Sequence, residues 1–329
     1  MINRRLIDFL SDGRFHSGSE IGGLLQVSRA AVWKQIKKLT DFGLIVHAVP
    51  GKGYQIPGGI DLLDAEKIQA GLSPSVVSGL GGLMVLDAVE SPADLALSEF
   101  KRIGGVNPFL VAAESRVLGK VKYGRGRHTN FGSSLDLAVA SEWSGEVGGL
   151  SSAALSVVAT LKVLESLGAG VGSGLNGKVR WPADLMVSEK RLGGVDVRLE
   201  SVSSGRQVLV LGVRLWVRSS SYMRPNEEGA ACLQDVLGLK SVLRNPLSAR
   251  LFESLLEVVA MDEVAIKSTL EKWRRYDCLR DREVMFDSAG RSVKGYVLGI
   301  DEVGRLRLET SEGISAFSPA DTGGLVQVD

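Results

Sequence analysis

The first sixty residues contain three short stretches in which apolar residues recur at the spacing of a helix. They predict helices over residues 2–10, 17–25 and 29–39, which glycine and polar residues separate from one another. Ser17 stands three residues before a glutamate and forms a capping box, and Ser28 is placed to cap the third helix. Two short helices followed closely by a third predict a helix-turn-helix.

The third predicted helix is amphipathic, with Val32, Ile36 and Leu39 on its apolar face and cations on the opposite face and flanks. Its lysines would meet DNA phosphates, whereas arginine, alanine and glutamine on the same helix could reach base edges. With the two caps and one lysine downstream, the predicted DNA-binding residues are Ser17, Ser28, Arg29, Ala30, Lys34, Gln35, Lys37, Lys38 and Lys52.

A β-hairpin is predicted directly after this helix. Two strand-like runs, residues 44–49 and 54–56, flank a Pro-Gly-Lys-Gly tip at 50–53. Residues 1–60 hold eight basic and four acidic residues, whereas the rest of the chain has three more acids than bases. The basic charge, the helices and the wing-like hairpin together predict that residues 1–62 bind double-stranded DNA. A helical protein-interaction module with solvated lysines is the alternative.

The remainder of the chain divides into three parts by its pattern. Residues 63–82 predict a helical linker, and residues 83–274 alternate strand-like and helix-like segments, which is typical of a layered α/β domain. Residues 275–329 contain short β-like runs between glycine and aspartate turns and predict a small SH3-like barrel. The predicted fold class is therefore α+β and multidomain.

Within these parts the pattern also predicts individual elements. A long apolar helix spans residues 151–167 and would end at Gly168, and a second helix spans 227–236, before a helical stretch over 246–274. The predicted strands of the last two parts cover residues 82–89, 109–113, 135–140, 179–181, 193–199, 208–217, 283–286, 292–298, 306–309 and 314–317.

Composition narrows the classes of function. No stretch approaches the roughly 18 consecutive apolar residues that cross a bilayer, and the charged start differs from a signal peptide, which predicts a cytoplasmic protein without membrane partners. Cys232 and Cys278 lack the spacing of a metal motif, and the three histidines are scattered. We therefore expect free thiols and no metal site.

Three segments of the α/β domain are candidates for chemistry. Residues 119–127 form a glycine-rich cationic loop suited to an anion, although an ordinary exposed basic loop has the same pattern. Residues 179–185 place a cation and a carboxylate beside Trp-Pro, or alternatively form a turn with a buried tryptophan. Residues 208–217 are most simply a core strand.

A family resemblance rests on the stretches Val-Ser-Arg-Ala-Ala-Val-Trp-Lys at 27–34, Val-Pro-Gly-Lys-Gly-Tyr at 49–54 and Leu-Leu-Asp-Ala at 62–65. These resemble the head of the bifunctional biotin protein ligase and biotin operon repressor family, and the resemblance extends over nearly the whole chain. It implies a dimeric repressor whose central domain makes biotinyl-adenylate from biotin and ATP with Mg²⁺. A lysine of a biotin carboxyl carrier protein then attacks the adenylate.

The family's motifs can be placed on this sequence. Its Gly-Arg-Gly-Arg-x-Gly-Arg loop falls on residues 119–125 when the flanking strands are matched without gaps, whereas the literal Gly-Arg-Gly-Arg at 124–127 would need a shift. The Lys-Trp-Pro-Asn-Asp motif falls on 180–184 and the Ser-Thr-Asn turn on 91–93. The resemblance implies the catalytic residues Lys120, Lys122, Arg180 and Asp184. It implies the biotin- or ATP-binding residues Ser91, Gly119, Lys120, Lys122, Gly124, Arg125, Arg180 and Trp181.

Each of these motifs is substituted. Lysines replace two arginines of the loop, Arg180 replaces the catalytic lysine, and the two glutamines expected before the loop are Arg116 and Val117. The Gly-x-Gly-x-Asn strand end reads Gly-Val-Arg-Leu-Trp at 212–216. Arginine and lysine differ in hydrogen-bond geometry, and each lost polar partner of a buried ureido ring costs about 1–3 kcal/mol. The sequence therefore predicts weak or absent ligase activity.

Two other functions are compatible with the same substitutions. The chain would be a non-enzymatic transcription factor that senses a different small molecule, or none, through the altered pocket. Alternatively, it would bind a carrier protein without catalysis, through the surface around that pocket.

Overall fold

The computed structural model of the chain describes residues 3–118, 127–128, 131–143, 151–171, 175–202, 205–218, 229–239 and 242–328. Five of the predicted site residues lie outside these ranges: Gly119, Lys120, Lys122, Gly124 and Arg125. The other predicted site residues fall within the described ranges.

The N-terminal unit is a helix-turn-helix followed by a short hairpin, as the sequence predicts. Its elements are α1 (Arg4–Leu10), α2 (Gly18–Leu25), α3 (Arg29–Asp41), β1 (His47–Val49) and β2 (Gly53–Gln55). The Ser17 hydroxyl accepts the Glu20 backbone N–H at 3.1 Å, and the Glu20 carboxylate accepts the Ser17 N–H at 2.7 Å, which completes the capping box of α2. Apolar residues from all three helices form one buried core.

The hairpin is attached to the helices through its second strand. His16 and Tyr54 exchange two backbone hydrogen bonds of 2.9 and 2.8 Å. This close approach is possible because Gly53, at φ +101°, has no Cβ, and a Cβ there would collide with the carbonyl group of His16. The wing position thus depends on one glycine.

We expect Gly53→Ala to detach the wing. Gly51→Ala is the matched control, because Gly51 also has a positive φ, +78°, but a Cβ there would meet nothing within 4 Å. The control should cost about 1–2 kcal/mol from backbone strain, and Gly53→Ala about 1–3 kcal/mol more from the collision. Amide hydrogen exchange at Tyr54, whose N–H donates to His16, measures the difference. Equal protection in both variants would contradict this account.

The central unit is a mixed sheet with helices on both faces. Its first half comprises α4 (Ala65–Ala70), α5 (Pro74–Gly79), β3 (Gly82–Leu86), α6 (Pro92–Arg102), β4 (Phe109–Ala113), β5 (Val117–Leu118), β6 (Arg127–His128) and β7 (Ser134–Trp143). The second half comprises α7 (Ser152–Val171), β8 (Gly177–Arg180), β9 (Asp184–Val187), β10 (Lys190–Ser201), β11 (Gln207–Trp216), α8 (Leu233–Val236), α9 (Arg244–Val259), α10 (Glu263–Glu271) and α11 (Trp273–Tyr276).

The sheet has the strand order β3-β4-β7-β11-β10-β9-β8. Only β3 and β4 pair in parallel, and the other neighbours are antiparallel. Alternation along the strands gives each face its own apolar cluster: α7 and α9 cover one face, and α6 covers part of the other. The uncovered part of the α6 face leaves room for a cavity.

Three predictions for this unit were wrong or incomplete. The helix α7 does not end at Gly168 but continues to Val171, although an internal glycine costs roughly 1 kcal/mol. The strand β9 was not predicted. Within the described part of the predicted helix at 227–236, only Leu233–Val236 is helical, because residues 229–231 instead form backbone hydrogen bonds with Arg191.

The helix α7 is apolar and long enough, by length and composition, to cross a membrane. However, 67% of its most apolar window is buried inside the structure, where it packs against the sheet and α9. Core helices of globular proteins pass the same test, so this helix is weak grounds for a membrane span.

The C-terminal unit is a five-stranded antiparallel sheet. Its elements are β12 (Glu283–Ser288), β13 (Arg291–Ile300), β14 (Leu306–Thr310), β15 (Gly313–Phe317), a 3₁₀ turn (Pro319–Asp321) and β16 (Gly323–Gln327). The strand order is β15-β14-β13-β12-β16, so among the described residues β15 and β16 are edges and no closed barrel forms. The four predicted strands are confirmed, β16 was missed, and barrel closure is not observed.

Candidate functional site

The helix α3 presents a row of cations on the side opposite its buried residues. Val32, Ile36 and Leu39 point into the head's core. The predicted DNA-binding residues Arg29, Ala30, Lys34, Lys37, Lys38 and Lys52 are all exposed, and Gln35 is half-buried. We call the five cations among them, four on α3 and Lys52 between β1 and β2, the cationic face. Ser17 and Ser28 bond to backbone N–H groups at the starts of α2 and α3, so their hydroxyls hold this face in position.

Two aromatic rings lie beside this face. Trp33 of α3 is 55% exposed, and the Lys37 ammonium lies 5.5 Å from the centre of its ring. The Lys52 ammonium lies 5.9 Å from the ring of Phe15. Both pairs have the geometry of a cation–π contact, which orients a lysine that would otherwise be mobile. Trp33 was missed as a surface residue, although its place off the apolar face of α3 was a usable signal.

A cavity of about 470 Å³ opens on the α6 face of the central sheet. Of the residues predicted to bind biotin or ATP, Ser91 and Arg180 line it. Trp181 does not: its indole is buried and donates to the Gly304 carbonyl at 2.9 Å, which ties the central unit to the C-terminal one. This is the structural alternative that the sequence left open, a turn with a buried tryptophan.

The bottom of the cavity contains a buried carboxylate between two arginines. Asp136 on β7 is only 2% exposed, and the register places it directly opposite Arg214 on β11. The Nε atoms of Arg214 and Arg116 lie 3.5 and 4.0 Å from Asp136 Oδ1, and the Ser134 hydroxyl donates to Oδ2 at 2.7 Å. The Arg214 guanidinium stacks on Trp216, 4.9 Å from the ring centre. We call these five residues the floor cluster.

The surroundings of Asp136 shift its pKa in both directions, and the net shift is upward. Burial raises the pKa of Asp136, while Arg214, the Ser134 hydrogen bond and Arg116 act in the opposite direction. Asp136 was not among the predicted site residues. The only signal in the sequence was an aspartate at an otherwise apolar position of a buried strand.

A second carboxylate is shared by two arginines at the rim of the cavity. Asp184 Oδ2 accepts from Arg180 Nη2 at 2.6 Å, and its Oδ1 lies 2.8 Å from Arg191 Nε. Arg180 and Asp184, which were both predicted as catalytic residues, are thus brought together, but the guanidinium of Arg180 is held by Asp184. We call Arg180, Asp184 and Arg191 the rim cluster.

Ser91 is placed at the mouth but its hydroxyl has a structural partner. It accepts the Asp94 backbone N–H at 3.1 Å and so caps α6. The Ser91 hydrogen bond and then Arg198, 2.7 Å away, lower the pKa of Asp94. Among the described residues, no group of three or more His, Cys, Asp or Glu side chains converges as metal ligands do.

The lining is suited to charged ligands. Guanidinium groups at the rim match phosphate or carboxylate oxygens. At the floor, an arginine and a tryptophan occupy the positions where the family resemblance implies a glycine and an asparagine, so these two positions do not offer a neutral ureido ring the partners expected for biotin.

Comparison with known proteins places the chain in a family. Residues 3–55 match the sequence family described as an HTH domain. The chain is 32% identical over 314 residues to the bifunctional ligase/repressor BirA of Salmonella typhimurium, with 92% of this chain and 91% of the relative covered. The chain belongs to the bifunctional ligase/repressor family. A second member, from Escherichia coli, is 31% identical, with 93% of this chain and 91% of the relative covered.

Solved structures show the same fold. The biotin protein ligase from Aquifex aeolicus in complex with biotin and ATP superimposes with a TM-score of 0.56 at 17% identity, over 76% of this chain and 99% of that one. A biotin protein ligase-like protein of unknown function from Silicibacter sp. gives a TM-score of 0.50 at 17% identity, over 75% of this chain and 95% of that one. At these identities the likeness concerns the fold alone.

Proposed function

We propose that this protein is a DNA-binding transcriptional repressor whose ligase-like central domain has weak or no biotin-ligating activity. The observation that carries the first half is the cationic face on a fully capped helix-turn-helix with its wing in place. Lysines on such a face neutralise phosphates, and the start of α3 is the part of a recognition helix that reaches base edges.

Binding to an operator fragment tests this half. We expect a defined footprint, and we expect Lys34→Ala with Lys37→Ala to weaken binding to all sequences and to lower the salt slope by about one per lysine. Lys101→Ala, an exposed lysine on α6, is the matched control and should change neither quantity. A search that found only salt-sensitive binding without sequence preference would count against a repressor.

The proposal that biotin-ligating activity is weak or absent is supported by the floor and rim clusters. Family membership brings biotin, ATP and Mg²⁺ as expected ligands, and the relatives' description as ligase and repressor makes the ligase reaction the starting hypothesis. Two observations argue against a rapid reaction. Arg214 and Trp216 on the floor replace the glycine and asparagine of the family motif. The guanidinium of Arg180 is held in an ion pair with Asp184. If the reaction is retained, Arg180 and the loop cations Lys120, Lys122 and Arg125 would neutralise the phosphate, and Asp184 would position Arg180.

The floor cluster also favours a second candidate function, the sensing of a small molecule other than biotin. A non-enzymatic repressor would use the cavity to sense a different, charged small molecule, because two arginine-rich clusters line it. Binding a carboxyl carrier protein without catalysis stays a weaker hypothesis.

The remaining features of this proposal follow from the family. We infer a homodimer in the cytoplasm, without membrane partners. We also infer domain boundaries at residues 1–62, 63–82, 83–274 and 275–329, with an SH3-like type for the last domain.

A further inference from the structure

Residues 57–64 connect the head to α4. We call them the linker segment, as distinct from the predicted helical linker at 63–82. A buried ion pair of the central domain holds this segment. Glu114, at the end of β4, is fully buried, and Arg244, at the start of α9, is 1% exposed. Arg244 Nη1 donates to Glu114 Oε2 at 2.7 Å and to the Asp61 carbonyl at 3.0 Å. The other oxygen of Glu114 accepts the Leu63 backbone N–H at 2.6 Å. The ion pair is therefore hydrogen-bonded to the linker segment at two residues, Asp61 and Leu63.

The linker segment makes further bonds at Asp61 and at its first residue, Pro57. The Asp61 carboxylate accepts the Arg244 backbone N–H at 2.7 Å and the Asn245 side-chain amide at 3.0 Å. At the head's end, the Pro57 carbonyl accepts from Arg218 Nη2 at 2.7 Å. With so many bonds to one rigid domain, the linker segment sets where the head lies.

Arg244 and Arg218 also bond to the backbone at the start of β7. Arg244 Nη2 donates to the Ser134 carbonyl at 2.9 Å. The backbone N–H of Arg218 donates to the neighbouring Ser133 carbonyl at 3.1 Å. Phe131, three residues before Ser134, is 2% exposed and belongs to the apolar core of the head. Residues 131–134, which we call the bridge segment, thus contact the head, and through the two arginines they are connected to Pro57 and Asp61 of the linker segment.

The bridge segment also ends at the cavity. The hydroxyl of Ser134 is the group that donates to Asp136 of the floor cluster at 2.7 Å. One residue therefore holds the cavity's buried carboxylate with its side chain and Arg244 with its carbonyl. Both contacts are fully buried, where hydrogen bonds are strong and a broken one is not replaced by water.

We propose that the bridge segment couples the floor of the cavity to the DNA-binding head, with Ser134 and Arg244 as positioning residues. A ligand that binds against Asp136 displaces Ser134. This weakens the hydrogen bonds by which Arg244 holds the linker segment, and the position of the head changes. The inference rests on the proposed function in one respect, that the cavity takes a ligand and the head takes DNA. Packed, hydrogen-bonded segments of this kind move between discrete arrangements rather than deform continuously.

Hydrogen exchange on the full-length protein tests the coupling without either ligand or DNA. The probe is the Leu63 amide, which the Glu114 carboxylate protects. Ser134→Ala and Asp136→Ala should each accelerate its exchange about tenfold, the effect of losing a hydrogen bond to a charged group. Asp196→Ala is the matched control, because Asp196 is a carboxylate of the same cavity on β10, two strands from Asp136, and it should leave the rate within about twofold.

The double variant Ser134→Ala/Asp136→Ala separates a pathway from two local effects. If the coupling passes through Ser134, the double variant exchanges no faster than Ser134→Ala alone. Amides in the middle of α7 serve as the internal check, because a general loss of stability would accelerate them as well. If Asp136→Ala does so, Ser134→Ala, which removes one oxygen atom, decides the question.

Three outcomes overturn the coupling: an unchanged Leu63 amide in Asp136→Ala, an equal effect of Asp196→Ala, or additive effects in the double variant. Failure of the proposed function is a different result, namely coupled exchange in a protein that binds no specific DNA. If the protein binds specific DNA but Asp136→Ala leaves the exchange of the Leu63 amide unchanged, the coupling is wrong and the proposed DNA-binding function stands.

Discussion

Mixed with biotin, MgATP and a biotin carboxyl carrier domain, this protein is expected to label the carrier at least about a thousandfold more slowly than its Escherichia coli relative. Several polar partners of the ureido ring are replaced, each at about 1–3 kcal/mol, and about 1.4 kcal/mol is a factor of ten. The Arg214 guanidinium and the Trp216 indole lie where the family motif has a glycine and an asparagine. Rapid stoichiometric labelling would contradict the proposal of a weakened ligase.

Two further measurements locate the loss. Calorimetry with biotin separates lost binding from lost catalysis, since a protein that binds biotin normally but does not label has lost only the chemical step. The variant Arg214→Gly/Trp216→Asn restores the family residues on β11 and should raise biotin affinity. Lys190→Ala, an exposed residue at the start of β10, is the control and should not. No gain in the restored variant would mean that the floor cluster is not what excludes biotin.

Replacement of Arg244 by methionine is expected to lower the free energy of unfolding by about 3–5 kcal/mol, because it leaves the Glu114 carboxylate buried without its cation. Denaturant unfolding of the full chain measures the loss. Arg250→Ala is the matched control on the same helix, since Arg250 is exposed, and it should change stability by no more than about 0.5 kcal/mol.

The double variant Glu114→Gln/Arg244→Met distinguishes a buried charge from simple loss of packing. With both charges removed, the destabilisation should be smaller than that of Arg244→Met alone, because no uncompensated ion stays in the interior. If the double variant were instead the sum of the two single variants, the Arg244 effect would be due to packing.

The helices of the head could be predicted because the determinants are close together in the chain. A serine three residues before a glutamate caps α2, and Ser28 caps α3 within its own first turn. The helix α7 shows the limit of such local signals. Gly168 is a local stop signal, but the helix continues past it to Val171.

The cavity could be predicted only in part. Arg180 and Asp184 are four residues apart, and the motif that contains them assigned both to the candidate site, where Arg180 donates to Asp184. Arg191, which shares Asp184, was not predicted, because its approach requires β9 and β10 to pair antiparallel in one register. Trp181 was assigned to the ligand site by motif, whereas packing against the C-terminal unit gives it a different partner.

By itself, the sequence determined the head, its caps and its cationic face, as well as the substitutions that distinguish this chain from its family. Only the tertiary structure decided that Asp136 lies between Arg116 and Arg214, and that Arg244 meets a glutamate 130 residues away. The physical reason is separation along the chain. Helix caps and amphipathic faces are set by neighbours within one or two turns, whereas buried ion pairs depend on the register of strands and helices that meet only after folding.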